Sequence, residues 1–289
     1  MLRGIWTNAR PVERVAFTIG AVLFTSGLVH VGVLLVTGWT WLGPLSLRKA
    51  ATFGLSFGLT LATVAWATSF ITVKGRNLLI GLFAGASVVE VILVSVQAWR
   101  GVPSHFNFET PGDTAVSMTL AAGGGVLVLT TLAFTISAIT GTRQSSATLR
   151  LAVRFGLFAL LAALGTGAAM IARGVVAART GDPEVAYTTA GSLKPLHAVA
   201  MHAILVVPAV AWLLDRTQLA ADSRLRLVWV AIAAYTGLIL LVGVESITGV
   251  SPLSPPVAVA IASAVAALAL VGVGSFALYS TRKRPQSVR

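Results

Sequence analysis

Long apolar stretches alternate with short polar or basic stretches along the whole chain. Eight of the apolar stretches are long enough to cross a bilayer, since a membrane-spanning helix needs about 20 residues. The predicted spans cover residues 14–37, 50–72, 78–100, 114–140, 151–178, 195–214, 226–248 and 256–280. The pattern predicts an all-α fold, a polytopic integral membrane helix bundle that forms one transmembrane domain over residues 1–289.

The third predicted span carries a polar stripe that is unusual for a membrane helix. Ser87, Glu90, Gln97 and Arg100 follow one another at spacings of three or seven residues, which places them on one helix face. An ionisable side chain near the bilayer centre costs about 2.5–3.5 kcal/mol or more unless it faces the bundle interior. We therefore predict that Glu90 is a functional residue. The alternative is that Glu90 only hydrogen-bonds to a neighbouring helix.

Composition narrows the class of protein. The chain is 56% hydrophobic and only 10% charged, which excludes an ordinary soluble domain. It has no cysteine, so disulfides, thiolate catalysis and iron–sulfur clusters are excluded, and a metal or haem would need His, carboxylate or Met ligands. The net charge of +12 comes from basic residues beside apolar segments, which indicates contact with the lipid bilayer and gives no reason to expect nucleic acid.

The distribution of basic residues predicts the orientation. If the N-terminus is cytoplasmic, all but six of the 21 Lys and Arg residues lie on the inner side, so both termini should be cytoplasmic. The first span is longer than a signal-peptide core, and we expect it to be retained. We predict a multi-pass protein of the cytoplasmic membrane of a bacterium. The six outer basic residues are Arg48, Lys49, Arg100, Arg173, Arg179 and Lys194.

Position within a helix converts to depth at about 1.5 Å per residue. His30 and His202 both fall roughly 10 Å below the outer boundary by this rise, and Glu90 roughly 15 Å below it. A shallower tier, with one member in a loop, contains Gln97, His197, Glu245 and the loop residue His105. All four histidines and both glutamates within the spans therefore fall in the predicted outer half, which indicates a polar site that faces the extracytoplasmic side.

The H-A-V-A-M-H segment contains two of the candidate ligands. His197 and His202 are five residues apart, or about 140° around a helix, so they do not form the one-faced pair of a zinc protease of the H-E-x-x-H type. One of them would face a cofactor, and the other would meet a neighbouring helix or water.

Three segments resemble a family of uncharacterised bacterial polytopic membrane proteins. They are R-K-A-A-T-F-G-L-S-F-G at 48–58, E-V-I-L-V-S-V-Q-A-W-R-G-V-P-S-H-F-N at 90–107 and L-K-P-L-H-A-V-A-M-H at 193–202. The family carries a similar R-G-x-x-S-H-F-N loop and a later H-x-x-x-x-H helix. The chain departs from it at 192–194, where Ser-Leu-Lys replaces a frequent Asp-Leu-Arg. The resemblance implies a shared site without naming its chemistry, and its matching residues are Glu90, Gln97, Arg100, His105, Asn107, His197 and His202.

The favoured hypothesis is an oxidoreductase or electron carrier with a b-type haem or a divalent metal. A haem in a bundle needs two imidazoles at matching depth, and His30 and His202 meet this condition as cofactor or metal ligands, with His197 as a further candidate. Glu90 would relay protons or hydrogen-bond a quinone. The basic residues predicted to hold the haem propionates are Arg48, Lys49, Arg100 and Lys194.

The alternative hypothesis is a membrane enzyme that acts on a lipid or isoprenoid substrate by acid–base chemistry, with or without a metal. Its candidate catalytic residues are Glu90, Gln97, His105 and Glu245. A transporter is less favoured, because few polar residues continue the path through the predicted inner half. A structural or assembly role remains as the last possibility.

Overall fold

The computed structural model describes residues 2–38, 40–41, 43, 45–141, 145–181 and 191–282. These residues form helices and contain no strand. The helices are α1 (Leu2–Thr7), α2 (Pro11–Thr37), α3 (Arg48–Ala67) with a 3₁₀ turn (Thr68–Phe70), α4 (Arg76–Trp99), α5 (Pro111–Thr140), α6 (Ala147–Arg179), α7 (Lys194–Leu214), α8 (Ala221–Thr248) and α9 (Val257–Arg282).

Eight of these helices, α2 to α9, have the length and the apolar composition needed to cross a membrane. The eight predicted spans are confirmed, and the chain is a multi-span membrane protein. The helices mostly begin a few residues before the predicted starts, because charged residues such as Arg48, Arg76 and Asp113 occupy first turns. The orientation of the termini stays a prediction.

The chain groups into two compact units, which are described separately. The first contains Met1–Trp66, Lys74–Ala133 and Gly167–Gly191, and the second contains Ala67–Val73, Phe134–Thr166 and Ser192–Arg289. The prediction of a single transmembrane domain stays a prediction.

In the first unit, glycines let α2 and α3 approach closely. A Cβ on Gly58 of α3 would lie 2.5 Å from the carbonyl oxygen of Gly20, and a Cβ on Gly27 of α2 would lie 2.5 Å from the backbone nitrogen of Leu55. Only glycine allows such backbone contact, which is a common way for membrane helices to associate. Helix α2 also packs on α4.

A buried ion pair joins the start of α2 to the start of α4, near the end of α3. Arg76 Nη2 on α4 lies 3.0 Å from Glu13 Oε1 on α2, and both side chains are almost fully buried. The same Nη2 donates to the carbonyl oxygen of Ala65 on α3 at 2.7 Å. Glu13 Oε2 accepts the backbone N–H of Arg10 at 2.9 Å and so caps α2.

In the second unit, α7, α8 and α9 pack against one another. The hydroxyl of Tyr235 on α8 donates to the carbonyl oxygen of Val199 on α7 at 2.9 Å. Gly156 of α6 lies against Ile204 of α7, where a Cβ would come within 2.8 Å of the Ile204 Cα. Most side chains of α9 are exposed, as expected for a helix in contact with lipid.

Candidate functional site

The loop between α4 and α5 carries the S-H-F-N segment and is closed by backbone hydrogen bonds. Helix α4 ends at Trp99, and Gly101 adopts the left-handed conformation (φ 67°) that reverses the chain. The N–H groups of Gly101 and Val102 donate to the carbonyls of Ala98 and Gln97. The helix thus ends within one residue of the predicted end of the third span.

His105 of this loop meets Lys49 at the start of α3. Lys49 Nζ lies 3.1 Å from His105 Nδ1, and the Ser104 hydroxyl lies 3.0 Å from the same nitrogen. Because an ammonium group can only donate, Nδ1 is the acceptor and the neutral imidazole carries its proton on Nε2. Burial and the charge of Lys49 hold the pKa of His105 well below its usual value. His105 is therefore a neutral hydrogen-bond donor through Nε2.

Phe106 holds the loop against α6. It has a left-handed backbone (φ 63°), which is strained for a residue with a bulky side chain. Its ring lies over Gly174, where a Cβ would come within 2.4 Å of the ring carbons. This packing explains how the strained backbone is maintained, and strain of this kind is often found at functional sites.

A cavity of about 20 Å³ lies beside the loop, which is room for about one water molecule. It is mostly apolar, and half of the Met118 side chain remains exposed on α5 at its rim. The residues that line it include His105, Phe106, Phe108, Ser117, Met118 and Ile171.

Asn107 has an unpartnered buried donor. The residue is only 1% exposed. Its Oδ1 accepts the backbone N–H of Glu109 at 3.1 Å, and its carbonyl oxygen accepts the Ser117 hydroxyl at 3.0 Å. Its Nδ2 is buried and finds no acceptor among the described residues. Such an atom in a native structure calls for an explanation, for example a bound group.

Glu90 also belongs to the first unit and lies within α4. It is 4% exposed, and its carboxyl group makes no hydrogen bond or ion pair with the part of the chain that the structure describes. It lies against α5 at Gly123, where a Cβ would come within 2.9 Å of Oε1. Lys49 is the basic group whose charge acts on it. The sequence stripe correctly predicted an inward-facing Glu90, and its catalytic role stays a prediction.

Gln97 and Arg100 are engaged by an acid that the sequence analysis did not single out. Asp113 Oδ1 accepts hydrogen bonds from Gln97 Nε2 at 2.9 Å and Arg100 Nη1 at 2.8 Å. Its Oδ2 accepts the Thr110 hydroxyl at 2.7 Å, and the Asp113 N–H donates back to that hydroxyl. The T-P-G-D segment at 110–113 has the spacing of a helix-capping motif, and this pattern could have identified Asp113 from the sequence. This network joins α4 to α5, while the predicted catalytic and cofactor roles of Gln97 and Arg100 stay predictions.

Arg48 begins α3 next to Lys49. Its guanidinium group makes no hydrogen bond or ion pair with the described residues, and its Nε is buried. Its backbone N–H donates to the Ser46 hydroxyl at 3.1 Å, so the start of the helix is already capped. The Arg48 side chain therefore has N–H donors available for a ligand, whereas the backbone N–H of Arg48 is already hydrogen-bonded.

Both ring nitrogens of His30 are hydrogen-bonded within the first unit. Nδ1 donates to the carbonyl oxygen of Ser26 at 2.8 Å, and Nε2 accepts the indole N–H of Trp99 at 3.0 Å. An iron or metal ligand needs a free imidazole nitrogen. His30 would therefore have to release Trp99 before it bound a haem or metal.

The second unit contains the other predicted ligands. His197 Nδ1 and His202 Nδ1 donate to the carbonyls of Ala163 and Ala198 at 2.7 and 2.6 Å, and neither Nε2 has a partner among the described residues. Glu245 is 5% exposed, and its carboxyl group likewise has no partner there.

Lys194 is exposed at the start of α7. Within the described ranges, no group of three or more His, Asp or Glu side chains is arranged to hold a metal ion. His30 belongs to the first unit and His202 to the second. Their shared haem stays a prediction.

No family model, curated protein or solved structure matches this chain.

Proposed function

We propose that this multi-span membrane protein is an enzyme that acts on a lipid or isoprenoid substrate by proton transfer from Glu90, assisted by Lys49 and His105. The observation that carries the proposal is the 3.1 Å hydrogen bond between Lys49 Nζ and His105 Nδ1, which fixes a neutral imidazole beside the cavity. A purely structural contact between these side chains would not explain why an unpartnered carboxyl group is buried in the same unit.

The three side chains have complementary roles in this proposal. His105 presents Nε2–H to an oxygen of the substrate, as a neutral imidazole does when it polarises a carbonyl or stabilises an oxyanion. An isolated carboxylate is costly in an apolar span, so Glu90 carries a proton as a carboxylic acid and donates it. The charge of Lys49 then offsets the carboxylate that remains.

The surroundings of the cavity favour an amphiphilic substrate. The cavity is large enough for only a small reacting group, and the exposed Met118 at its rim belongs to a membrane-crossing helix. The rest of the substrate would therefore lie along the apolar surface of α5 in the bilayer. We place the protein in the cytoplasmic membrane of a bacterium, with this site on the extracytoplasmic side, because most Lys and Arg residues favour the other side.

A survey of lipids tests the proposal and identifies the substrate at the same time. The purified protein is placed in vesicles of bacterial polar lipids, quinones and polyprenyl phosphates in D₂O buffer, and the lipids are analysed by mass spectrometry. We expect at least one lipid to change mass or gain deuterium with the unsubstituted chain and not with Glu90→Gln. Glu109→Gln is the matched control, since it removes an exposed carboxyl group from the loop between α4 and α5. No difference between the Glu90 and Glu109 variants would refute the proposal.

A haem- or metal-dependent electron carrier is the second candidate. It is supported by one feature of α7, where backbone carbonyls orient the rings of His197 and His202 and leave each Nε2 available. Visible spectra of the oxidised and reduced protein, with metal analysis of the same sample, test it. A haem band or stoichiometric metal that is lost in His202→Ala would support this candidate, and a colourless, metal-free protein that still converts lipid would eliminate it.

A further inference from the structure

The polar groups left without partners around the S-H-F-N loop are all donors. They are the Arg48 guanidinium group, the buried Nδ2 of Asn107 and the Nε2–H of His105. The Lys49–His105 contact brings the two chain segments that hold these groups together. A ligand that satisfied them would have to supply several acceptors.

None of these three groups has an acceptor among the described residues. Asp113 is already bonded to Gln97, Arg100 and Thr110. Glu109 is exposed, and its backbone N–H closes an Asx turn with the Asn107 side chain. The free-energy cost of these donors is therefore not offset by any contact within the part of the chain that the structure describes.

We propose that Arg48, Lys49, His105 and Asn107 bind the terminal phosphate group of an amphiphile. A phosphate monoester has three terminal oxygens and up to two negative charges. The oxygens match the unpartnered donors of Arg48, His105 and Asn107, and the charges match those of Arg48 and Lys49. A carboxylate has one charge and two oxygens, and it would leave part of this set unsatisfied. The statement that the bound amphiphile is the substrate rests on the function proposed above, whereas the phosphate site itself does not.

The position of the site is consistent with a lipid phosphate. The loop follows directly after the end of membrane-crossing helix α4, and α5 begins again at Pro111. A phosphate bound at the loop would lie near the end of the apolar spans, and the attached chain would extend along them.

Binding is measured with the full-length protein in dodecyl maltoside, which contains no phosphate. The probes are geranylgeranyl phosphate, geranylgeraniol with the same tail and no phosphate, and inorganic phosphate, with quenching of tryptophan fluorescence as the signal. We expect the phosphate lipid to bind at least about tenfold more tightly than the alcohol, since hydrogen bonds to charged groups are the strong ones. Equal affinity for the two lipids would overturn the proposal. Inorganic phosphate that bound as tightly as the lipid would overturn the assignment of a lipid.

Two arginine variants separate a defined site from general surface charge. Arg48→Gln and Arg173→Gln each remove one positive charge from the first unit, but Arg173 is exposed on α6. We expect Arg48→Gln to weaken binding of geranylgeranyl phosphate by about tenfold or more and Arg173→Gln by less than about threefold. Equal weakening in the two variants would overturn the proposal. Arg48→Lys, which keeps the charge, should retain part of the affinity and shows whether a loss reflects misfolding.

The failure of this inference is distinguishable from that of the proposed function. Glu90→Gln should still bind geranylgeranyl phosphate, because Glu90 is not among the four residues of the phosphate site. If Glu90→Gln leaves lipid conversion unchanged while binding still depends on Arg48, the proposed function fails and the phosphate site stands. If lipid conversion depends on Glu90 but binding does not depend on Arg48, the phosphate site fails and the proposed function stands.

Discussion

The substitution Gly123→Ala tests whether the space beside Glu90 sets the position of its carboxyl group. The added Cβ would lie 2.9 Å from Glu90 Oε1 and 3.6 Å from Cγ and Cδ. Ordinary van der Waals contact begins at 3.4 Å, so the carboxyl oxygen has to move by about 0.5 Å. Since the atom that moves is the end of a flexible side chain, we expect the carboxyl group to be displaced and the backbone to stay in place.

The effect on function should be much larger than the effect on stability. A misplacement of about 1 Å at a catalytic group can cost about 10²-fold in rate, so about half of that displacement should cost on the order of tenfold. Alanine is favoured over glycine within a helix by about 1 kcal/mol, which should maintain or slightly raise the melting temperature. Gly125→Ala is the matched control, because no atom lies within 4 Å of its added Cβ.

The assay uses dicyclohexylcarbodiimide, which adds to a carboxylic acid and forms a stable N-acylurea after rearrangement. Peptide mass spectrometry follows the label at Glu90, and the second buried carboxyl group, Glu245, is the internal reference. We expect labelling of Glu90 to slow on the order of tenfold in Gly123→Ala, because its geometry changes and the space beside it is filled. Labelling at Glu245 should not change. Equal labelling of Glu90 in the two alanine variants would refute the reasoning.

Three further predictions concern stability, protonation and orientation. Arg76→Gln should destabilise the protein by about 3–5 kcal/mol, because it leaves the Glu13 carboxylate buried without its partner. The double variant with Glu13→Gln should have a higher melting temperature than Arg76→Gln alone. A lower melting temperature of the double variant would argue against a paired site. Because the pKa of His105 is held well below 6.5, the unfolded chain takes up a proton there first as the pH falls. The melting temperature should therefore drop below about pH 6.5, and less steeply in His105→Gln; an identical slope would contradict the lowered pKa. A cysteine introduced as Glu109→Cys into this cysteine-free chain should react with a membrane-impermeant maleimide added outside intact cells, and reaction only after permeabilisation would reverse the predicted orientation.

The sequence was sufficient to predict the eight spans, because hydropathy and length alone determine which segments can cross a bilayer. It was also sufficient to predict that Glu90 is buried, since a carboxyl group in an apolar span avoids lipid. The predicted end of the third span also agrees with the end of α4 to within one residue, because the change from apolar to polar residues is local. Each of these properties depends on a single segment and its solvent.

The contacts between helices were not predictable in the same way. The rise per residue predicted only the depth of His30, whereas its burial and its bond to Trp99 depend on how α2 and α4 are rotated about their axes. The Lys49–His105 contact joins residues 56 positions apart, and the resemblance named His105 without its partner. Asp113 was missed because it lies at the start of a span, where an acid is expected to meet water. Its bonds to Gln97 and Arg100 require both helix ends to meet.

The contrast between Glu90 and the two paired buried acids of the first unit supports a functional role for Glu90. Glu13 and Asp113 are buried to a similar extent, and each is paired with an arginine that offsets the desolvation of its carboxyl group. A carboxyl group whose only task was to join helices would be expected to have such a partner, because polar groups in membrane helices associate through hydrogen bonds. Glu90 has none among the described residues, and the residue opposite it is a glycine that leaves room and offers no side chain. The packing thus preserves space for the carboxyl group without using it to hold the fold, which is the arrangement that proton transfer to a bound molecule requires.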